Sequence, residues 1–511
     1  MGRQPAARAF AANLDTLVRA RYPFVYLVSW EEQRVDRILA ELAARHRKQL
    51  VQWSATKGLR RVAGPRPAPA LEAITKPVEA LAAIGKLAEP SLVVLKDFHT
   101  CFDDPLVVRA LRELGHELED SYTTVILLSP VLKIPVELEK DVTVLDVPLP
   151  EFDELLDLLK RIATVLKQQG HASINLDRDA VEGLVRAALG LTLSEAENAF
   201  ARAIATDDVL DADDIKLVLE EKRQVIRKSG LLEYYPTDED LRGVGGLDYL
   251  KGWLDRRTAA FSDEARKFGL PEPKGLLLLG VQGCGQSLSA KAIASQWRLP
   301  LLRLDMGRIF GSLVGSSEDN IRRAIRMAEG VAPVVLWIDE IEKGLSGVKS
   351  SGDTDGGTGA RVFGALLTWM QEKTAPVFVV ATANNIAELP PELLRKGRFD
   401  EIFFVDLPSR RERAEIFGIH LQRRGRDPSL FGVDRLAELA RGFSGAEIEQ
   451  AIVAALYHAF EERRELDAAH IEAAITETRP LSQTMAEDIA RLRAWATTRA
   501  RLASPPVDDE A

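Results

Sequence analysis

Short runs of apolar and β-branched residues alternate with longer stretches of helical periodicity along most of the chain, and no other feature constrains the fold as strongly. Parallel strands joined by crossover helices produce this pattern. In the second half the runs are GLLLLG (275–280), LPLLRLDM (299–306), PVVLWIDE (333–340), APVFVVATAN (375–384) and EIFFVDLP (401–408). The first half repeats the order with FVYLVSW (24–30), LVQWSA (50–55), SLVVLKDFH (91–99), TTVILLSP (123–130) and DVTVLDVPLP (141–150), followed by helical segments. The expected class is therefore α/β, with two tandem parallel-sheet domains related by duplication. From Ser409 to Pro480 apolar residues fall at three- and four-residue spacing, which predicts a small helical lid, and LSQTMAEDIARLRAWATTRARLA predicts one more amphipathic helix.

Within the duplication Asp97 answers Asp339, Asp146 answers Asp406, and GLTLSEAENA from Gly190 answers GFSGAEIEQA from Gly442. The boundary is expected near Leu231, after the helix DDIKLVLEEKRQVIRKSG. At 511 residues the chain is long for one core, and 46% hydrophobic with 28% charged residues is the balance of a soluble globular protein. No run approaches the ~18 to 20 uncharged apolar residues of a membrane span, and the start lacks a secretory cleavage pattern, so the expected location is cytoplasmic, with no membrane partner. Cys101 and Cys284 stand far apart and suggest neither a disulfide framework nor a cysteine metal site. A net charge of −10 argues against a nonspecific polyanion-binding surface, and nucleic acid is not the expected partner.

The segment GLLLLG-VQGCGQS-LSAKAIA is a strand, a glycine-rich turn and a helix start, the context in which such a turn binds phosphate. Gly280, Gly283 and Gly285 let backbone N–H groups converge on phosphate oxygens, the positive end of the following helix adds attraction, and Ser287 is the candidate Mg²⁺ ligand. The next-to-last residue of such a turn is ordinarily a lysine that follows charge into the transition state, yet here it is the neutral Gln286. A charge-assisted hydrogen bond is worth roughly 1.5 to 3 kcal/mol, so its loss weakens nucleotide binding by about ten- to a hundredfold. Lys291 lies about one and a half turns farther along the helix and is expected to point elsewhere. VVLWIDE places Asp339 and Glu340 at the C-terminal end of a strand, where open α/β sheets bind their ligands. Asp339 suits Mg²⁺ through water, and Glu340 suits a general base for the attacking water.

From Val244 to Pro480 these motifs and their order resemble the AAA family of ATPases, whose phosphate loop and acidic strand end are the Walker A and Walker B elements. ATANN is similar to the sensor strand, with Asn384 as the residue that positions water, and LPPELLRKGRFDEIFFVDLP is similar to the arginine-finger segment, with Arg395 and Arg398. GFSGAEIE resembles the start of the lid helix, where Gly445 and Ala446 contact the nucleoside. VGGLDYL, with Gly246, resembles the segment beside the adenine, and Cys284 and Leu288 complete the nucleotide-binding stretch. The resemblance implies ATP and Mg²⁺ as cofactors and a homo-oligomer, a hexameric ring in which each arginine pair reaches the neighbouring site. It also implies ATP hydrolysis coupled to remodelling of a protein client. Charge supplied in trans gives such rings their purpose, because a lone subunit lacks groups that stabilise the transferred phosphoryl group. The stretch matching the family's client-gripping loop has Leu313 and Val314 before Gly315 rather than an aromatic, which speaks against threading, and Phe310 is expected to pack.

Over nearly its whole length, through QGCG, LKDFH, LTLSEAENAFARAI, EEKRQVIRKSG and RPLSQTMAEDIARLRAWA, the chain resembles an uncharacterised AAA group known from an open reading frame of algal plastids and cyanobacteria. Members of that group keep the loop lysine, so Gln286 departs from the pattern and is expected to impair turnover. The first half lacks four parts together: EEQRVDRIL follows its first strand without a phosphate-binding glycine, Phe98 follows Asp97, no finger arginines precede DVP, and Leu193 answers Gly445. The expected division is 1–230, a degenerate nucleotide-fold domain with its own helical lid for assembly or partner binding; 231–408, a large P-loop-type domain that binds ATP; and 409–511, the AAA lid and C-terminal helix. The alternative to a remodelling ATPase is a hydrolysis-deficient scaffold that nucleotide stabilises, and a nucleic-acid remodeller ranks third.

Overall fold

A computed structural model describes residues 6–64, 71–169, 173–228, 230–235, 243–261, 263–310, 316–344, 356–386, 389–395 and 397–505. The chain divides into two units, Met1–Lys222 and Arg223–Ala511. In the first, the strands are β1 (Phe24–Val28), β2 (Gln49–Trp53), β3 (Arg60–Ala63), β4 (Ser91–Lys96), β5 (Thr124–Ser129) and β6 (Val142–Asp146), arranged in the order β3-β2-β4-β5-β1-β6. All neighbours are parallel except β3, which pairs antiparallel with β2 at the edge. A two-residue parallel pair, β7 (Ser173–Ile174) and β8 (Val209–Leu210), ties together the helices that follow.

The second unit contains β9 (Leu232–Tyr235), β10 (Gly275–Gly280), β11 (Leu301–Leu304), β12 (Val334–Ile338), β13 (Val377–Ala383), β14 (Glu401–Val405) and β15 (Arg501–Leu502). Their order is β15-β14-β10-β13-β12-β11-β9. The inner order β14-β10-β13-β12-β11 is the same as β6-β1-β5-β4-β2, so the duplication extends to topology. Leu277 and Leu279 enter the core on one face of this sheet while Leu276 and Leu278 enter the core on the other. Such strands are apolar on both faces because helices cover both.

The lid has its own core of Phe417, Leu421, Phe431, Leu436, Phe443, Ile448, Ile452 and Ile471. Helix Gly445–Glu461 begins with a capping box, in which Ser444 accepts from the Glu447 N–H and the Glu447 carboxylate accepts from the Ser444 N–H; Thr192 and Glu195 do the same for helix Leu193–Asp207. After helix Ala486–Arg499, β15 pairs parallel with β14, Ala503 accepts from the Tyr249 and Leu250 N–H groups, and Ser504 donates to Glu412 at 2.5 Å.

Candidate functional site

Three elements meet at the C-terminal edge of the second sheet. Strand β10 feeds the turn 281–285, which opens helix Gln286–Trp297. Gly283 and Gly285 take φ of 81° and 94°, a left-handed backbone that glycine adopts without penalty. A Cβ on Gly283 would stand 3.1 Å from Ser444 Oγ and 3.1 Å from the Ala446 Cβ. Gly280 has a different cause: its Cβ would lie 2.0 Å from the Val405 carbonyl oxygen, so close strand packing demands glycine there with or without a ligand.

The lid reaches this turn through its own backbone. Ala446 donates its N–H to the Gly283 carbonyl at 3.0 Å, with Gly445 alongside. Cys284 and Leu288 pack against the core beneath helix Gln286–Trp297, and burial pushes the Cys284 thiol well above its ordinary range, so it is not a reactive thiolate. Gly246 lies where lid carboxylates gather: its N–H donates to Glu415 at 3.0 Å, and the Leu247 N–H donates to Glu412 at 3.2 Å.

Asp339 and Glu340 follow β12. Asp339 Oδ1 accepts from Thr382 Oγ1 at 2.8 Å and from Ser287 Oγ at 3.4 Å, while Oδ2 accepts from Arg303 Nη2 at 3.0 Å. Thr382 also accepts the Glu340 N–H at 3.0 Å, so one buried hydroxyl on β13 holds both acidic residues. Glu340 takes a left-handed φ of 48°, and its carboxylate is paired with Lys343 at 2.5 Å. Asn384 donates its N–H to Glu342 Oε1 at 2.8 Å, and burial raises the Glu342 pKa.

Several buried polar atoms at this edge have no partner among the described residues, Glu342 Oε2 and Arg303 Nε included; two of them belong to amides, Nε2 of Gln286, a residue only 7% exposed, and Oδ1 of Asn384. An orphaned buried amide is costly, and both sit on the segments matched to nucleotide contacts. Together with the glycine cradle and the oxygen donors Ser287 and Asp339, they fit a nucleotide with Mg²⁺, a cation that takes oxygen ligands. Lys291 places its Nζ 5.5 Å from the centroid of the Tyr235 ring, whose hydroxyl lies 3.5 Å from Arg303 Nη1.

Arg395 is exposed, and Arg398 donates to the Glu392 carbonyl. Among the described residues neither is hydrogen-bonded or ion-paired to the glycine-rich turn or to the Asp339 cluster. Phe310 packs against the core from helix Met306–Phe310, as its spacing predicts, whereas Leu313, Val314 and Gly315 lie outside the described residues. Sequence reasoning missed Thr382, Arg303, Glu342 and Lys343. Thr382 had a signal, a hydroxyl residue at the polar end of an apolar strand, but Arg303 read as an ordinary strand residue.

In the first unit the equivalent place is filled by side chains. Glu31 immediately precedes helix Glu32–Arg45 and, rather than capping it, turns its carboxylate to accept the Leu193 N–H at 2.7 Å. Buried Arg34 donates to Glu31 Oε2 at 2.8 Å, to both oxygens of Glu154 at 3.0 and 2.8 Å, and to the Pro148 carbonyl at 2.5 Å. Asp97 takes the left-handed turn of Glu340, with φ 52°. Matching the units through that turn sets Asp97 against Glu340, one residue from the sequence expectation. Lys96 then stands where Asp339 does, paired with Asp36 at 2.6 Å and Glu32 at 3.1 Å.

Residues 10–147 match the model of the SpoVK-like AAA ATPase N-terminal domain, 153–229 that of the SpoVK-like AAA ATPase second domain, and 276–407 that of the ATPase family associated with various cellular activities, AAA. An uncharacterised AAA domain-containing protein, ycf46, of Pyropia yezoensis is 43% identical over 97% of this chain and 99% of its own length. The ycf46 protein of Guillardia theta is 41% identical over 97% of both. The proteasome-activating nucleotidase of Aeropyrum pernix is 35% identical over 38% of this chain and 48% of its own length. Among the described residues no helix is long and apolar enough to cross a membrane.

Proposed function

The chain belongs to the AAA ATPase family, among the ycf46 proteins, and from that premise we propose that its second unit binds ATP and hydrolyses it to remodel a protein client, at a rate that Gln286 limits. The observation that carries this reading is the hydrogen-bonded set Ser287–Asp339–Thr382–Glu340 lying beside the glycine turn and the orphaned Gln286 amide. Backbone N–H groups of the turn and the N-terminus of helix Gln286–Trp297 cradle the phosphates. Ser287 and Asp339 hold Mg²⁺, which when bound supplies positive charge to the phosphate oxygens. Glu340, once released from Lys343, takes the proton of the attacking water, and the Asn384 side chain orients that water.

Arg395 and Arg398 act on the site of a neighbouring copy in a ring, which their distance in contacts from their own subunit's cluster supports. The first unit takes no nucleotide, because Glu31, Arg34 and Glu154 already satisfy one another where phosphate would sit, and it serves assembly or client recognition. A second reading, a scaffold that nucleotide orders without turnover, is favoured by one observation: Gln286 is buried and neutral. Steady-state phosphate release separates the two. The remodelling reading expects measurable release that Glu340→Gln abolishes while ATP binding persists, and it fails if release is absent or survives that substitution.

A further inference from the structure

Arg303 is a cation at the centre of this site that the mechanism above leaves without a task. It comes from β11, and its Nη2 holds Asp339 Oδ2 at 3.0 Å, on the opposite side of the carboxylate from Thr382 and Ser287. The guanidinium is thus two hydrogen bonds from the Ser287 hydroxyl, next in sequence to Gln286. Its setting is a polar one at the sheet edge: Nη1 lies 3.5 Å from the Tyr235 hydroxyl and 3.6 Å from Glu233, and Cζ lies 5.1 Å from the centroid of the Trp337 ring. Nε is buried with no partner. The neighbouring cations have contacts of their own, Lys291 over the Tyr235 ring, Lys343 on Glu340 and Arg308 on Glu233 at 2.6 Å, while Arg303 is the one on Asp339 among the ion pairs of the described residues.

We propose that Arg303 supplies the positive charge of the metal-free nucleotide site, standing in for the lysine that Gln286 replaces and yielding Asp339 to Mg²⁺ when the metal arrives. The inference rests on the reading of this edge as a nucleotide site. Without metal, Asp339 and the nucleotide's phosphates are like charges at one sheet edge, and a guanidinium held on the far oxygen of Asp339 neutralises that carboxylate and so offsets the repulsion. Mg²⁺ seeks the same carboxylate oxygens and does the same neutralisation with two charges. Arg303 therefore matters most when the metal is absent. A guanidinium that merely packed on Trp337 would affect both states alike.

Isothermal titration of the full chain with ADP, once in EDTA and once in excess Mg²⁺, tests this. Arg303→Gln is expected to weaken binding in EDTA by about tenfold and in Mg²⁺ by clearly less, so that the factor by which Mg²⁺ strengthens binding rises at least about threefold; Arg303→Lys keeps most of the EDTA affinity. Equal loss in both buffers, or no loss in EDTA, overturns the inference while leaving the nucleotide site standing. No binding by the unaltered chain in either buffer removes the site and the inference together. Asp339→Asn gives an independent arm that preserves the side chain's shape and frees the guanidinium. ADP binding in EDTA then strengthens several-fold, and unchanged or weaker binding contradicts the proposal.

Discussion

In the proposed nucleotide site Gln286 stands where the family's pattern has a charged lysine, beside the hydrogen-bonded set of Ser287, Asp339, Thr382 and Glu340. Its Nε2 is buried without a partner among the described residues, and a neutral amide brings no charge to the proposed transition state. Around it, the identities of Ser287, Asp339, Glu340 and Asn384 were legible because each ends or follows a strong apolar strand. Their support was not. Thr382 is fully buried and serves Asp339 and the Glu340 N–H at once, a role set by the register that places Leu278 opposite Thr382 and Ile338 opposite Ala381. Thr382→Val keeps the volume and removes both bonds. It should cost about 1 to 3 kcal/mol of stability, seen in denaturant unfolding, and lower ATP turnover by more than it lowers ATP affinity.

Among elements, the apolar strands were readable, the edge strand β6 included, and three short strands at the other edges were not. β10 and β13 are continuous apolar runs, whereas β3 (RRVA), β9 (LEYY) and β15 (RL) are short, polar or exposed, and only tertiary pairing makes them strands. Which leucine of GLLLLG faces which helix layer was likewise undetermined until the sheet was assembled. The left-handed turns after β4 and β12 carry the one change in how the halves correspond, since a single-residue offset is invisible to motif matching. The first unit's closed ion network makes a strong test of its self-sufficiency. Arg34→Leu leaves the buried Glu31 carboxylate and the half-exposed Glu154 without their cation, and should destabilise that unit by about 2 to 4 kcal/mol, lowering its melting temperature by roughly 10 °C whether or not ATP is present. An equal and opposite rescue by ATP would mean that nucleotide enters the first unit after all. On the lid, Ser444→Ala removes the cap of the helix that touches Gly283, costing about 1 kcal/mol in thermal unfolding and loosening nucleotide binding.

At the scale of the whole molecule, one sheet order occurs twice: one copy has its edge filled by its own side chains, and the other carries the edge proposed to take nucleotide. If Arg395 and Arg398 serve the site of a neighbouring copy, as proposed, assembly becomes a requirement for chemistry. In a Gln286→Lys background, Glu340→Gln and the double variant Arg395→Ala/Arg398→Ala should each lack turnover alone and regain part of it when mixed, because intact sites then meet intact arginines; silence in the mixture would place the arginines' action within one chain. The central claim is that the second unit is an ATPase site with a single neutral replacement. ATP binding and turnover measured side by side for the chain and for Gln286→Lys test it most directly. The account predicts that the lysine variant binds ATP about ten- to a hundredfold more tightly and turns it over faster by at least that factor. A folded, assembled Gln286→Lys protein with no gain in turnover would contradict it.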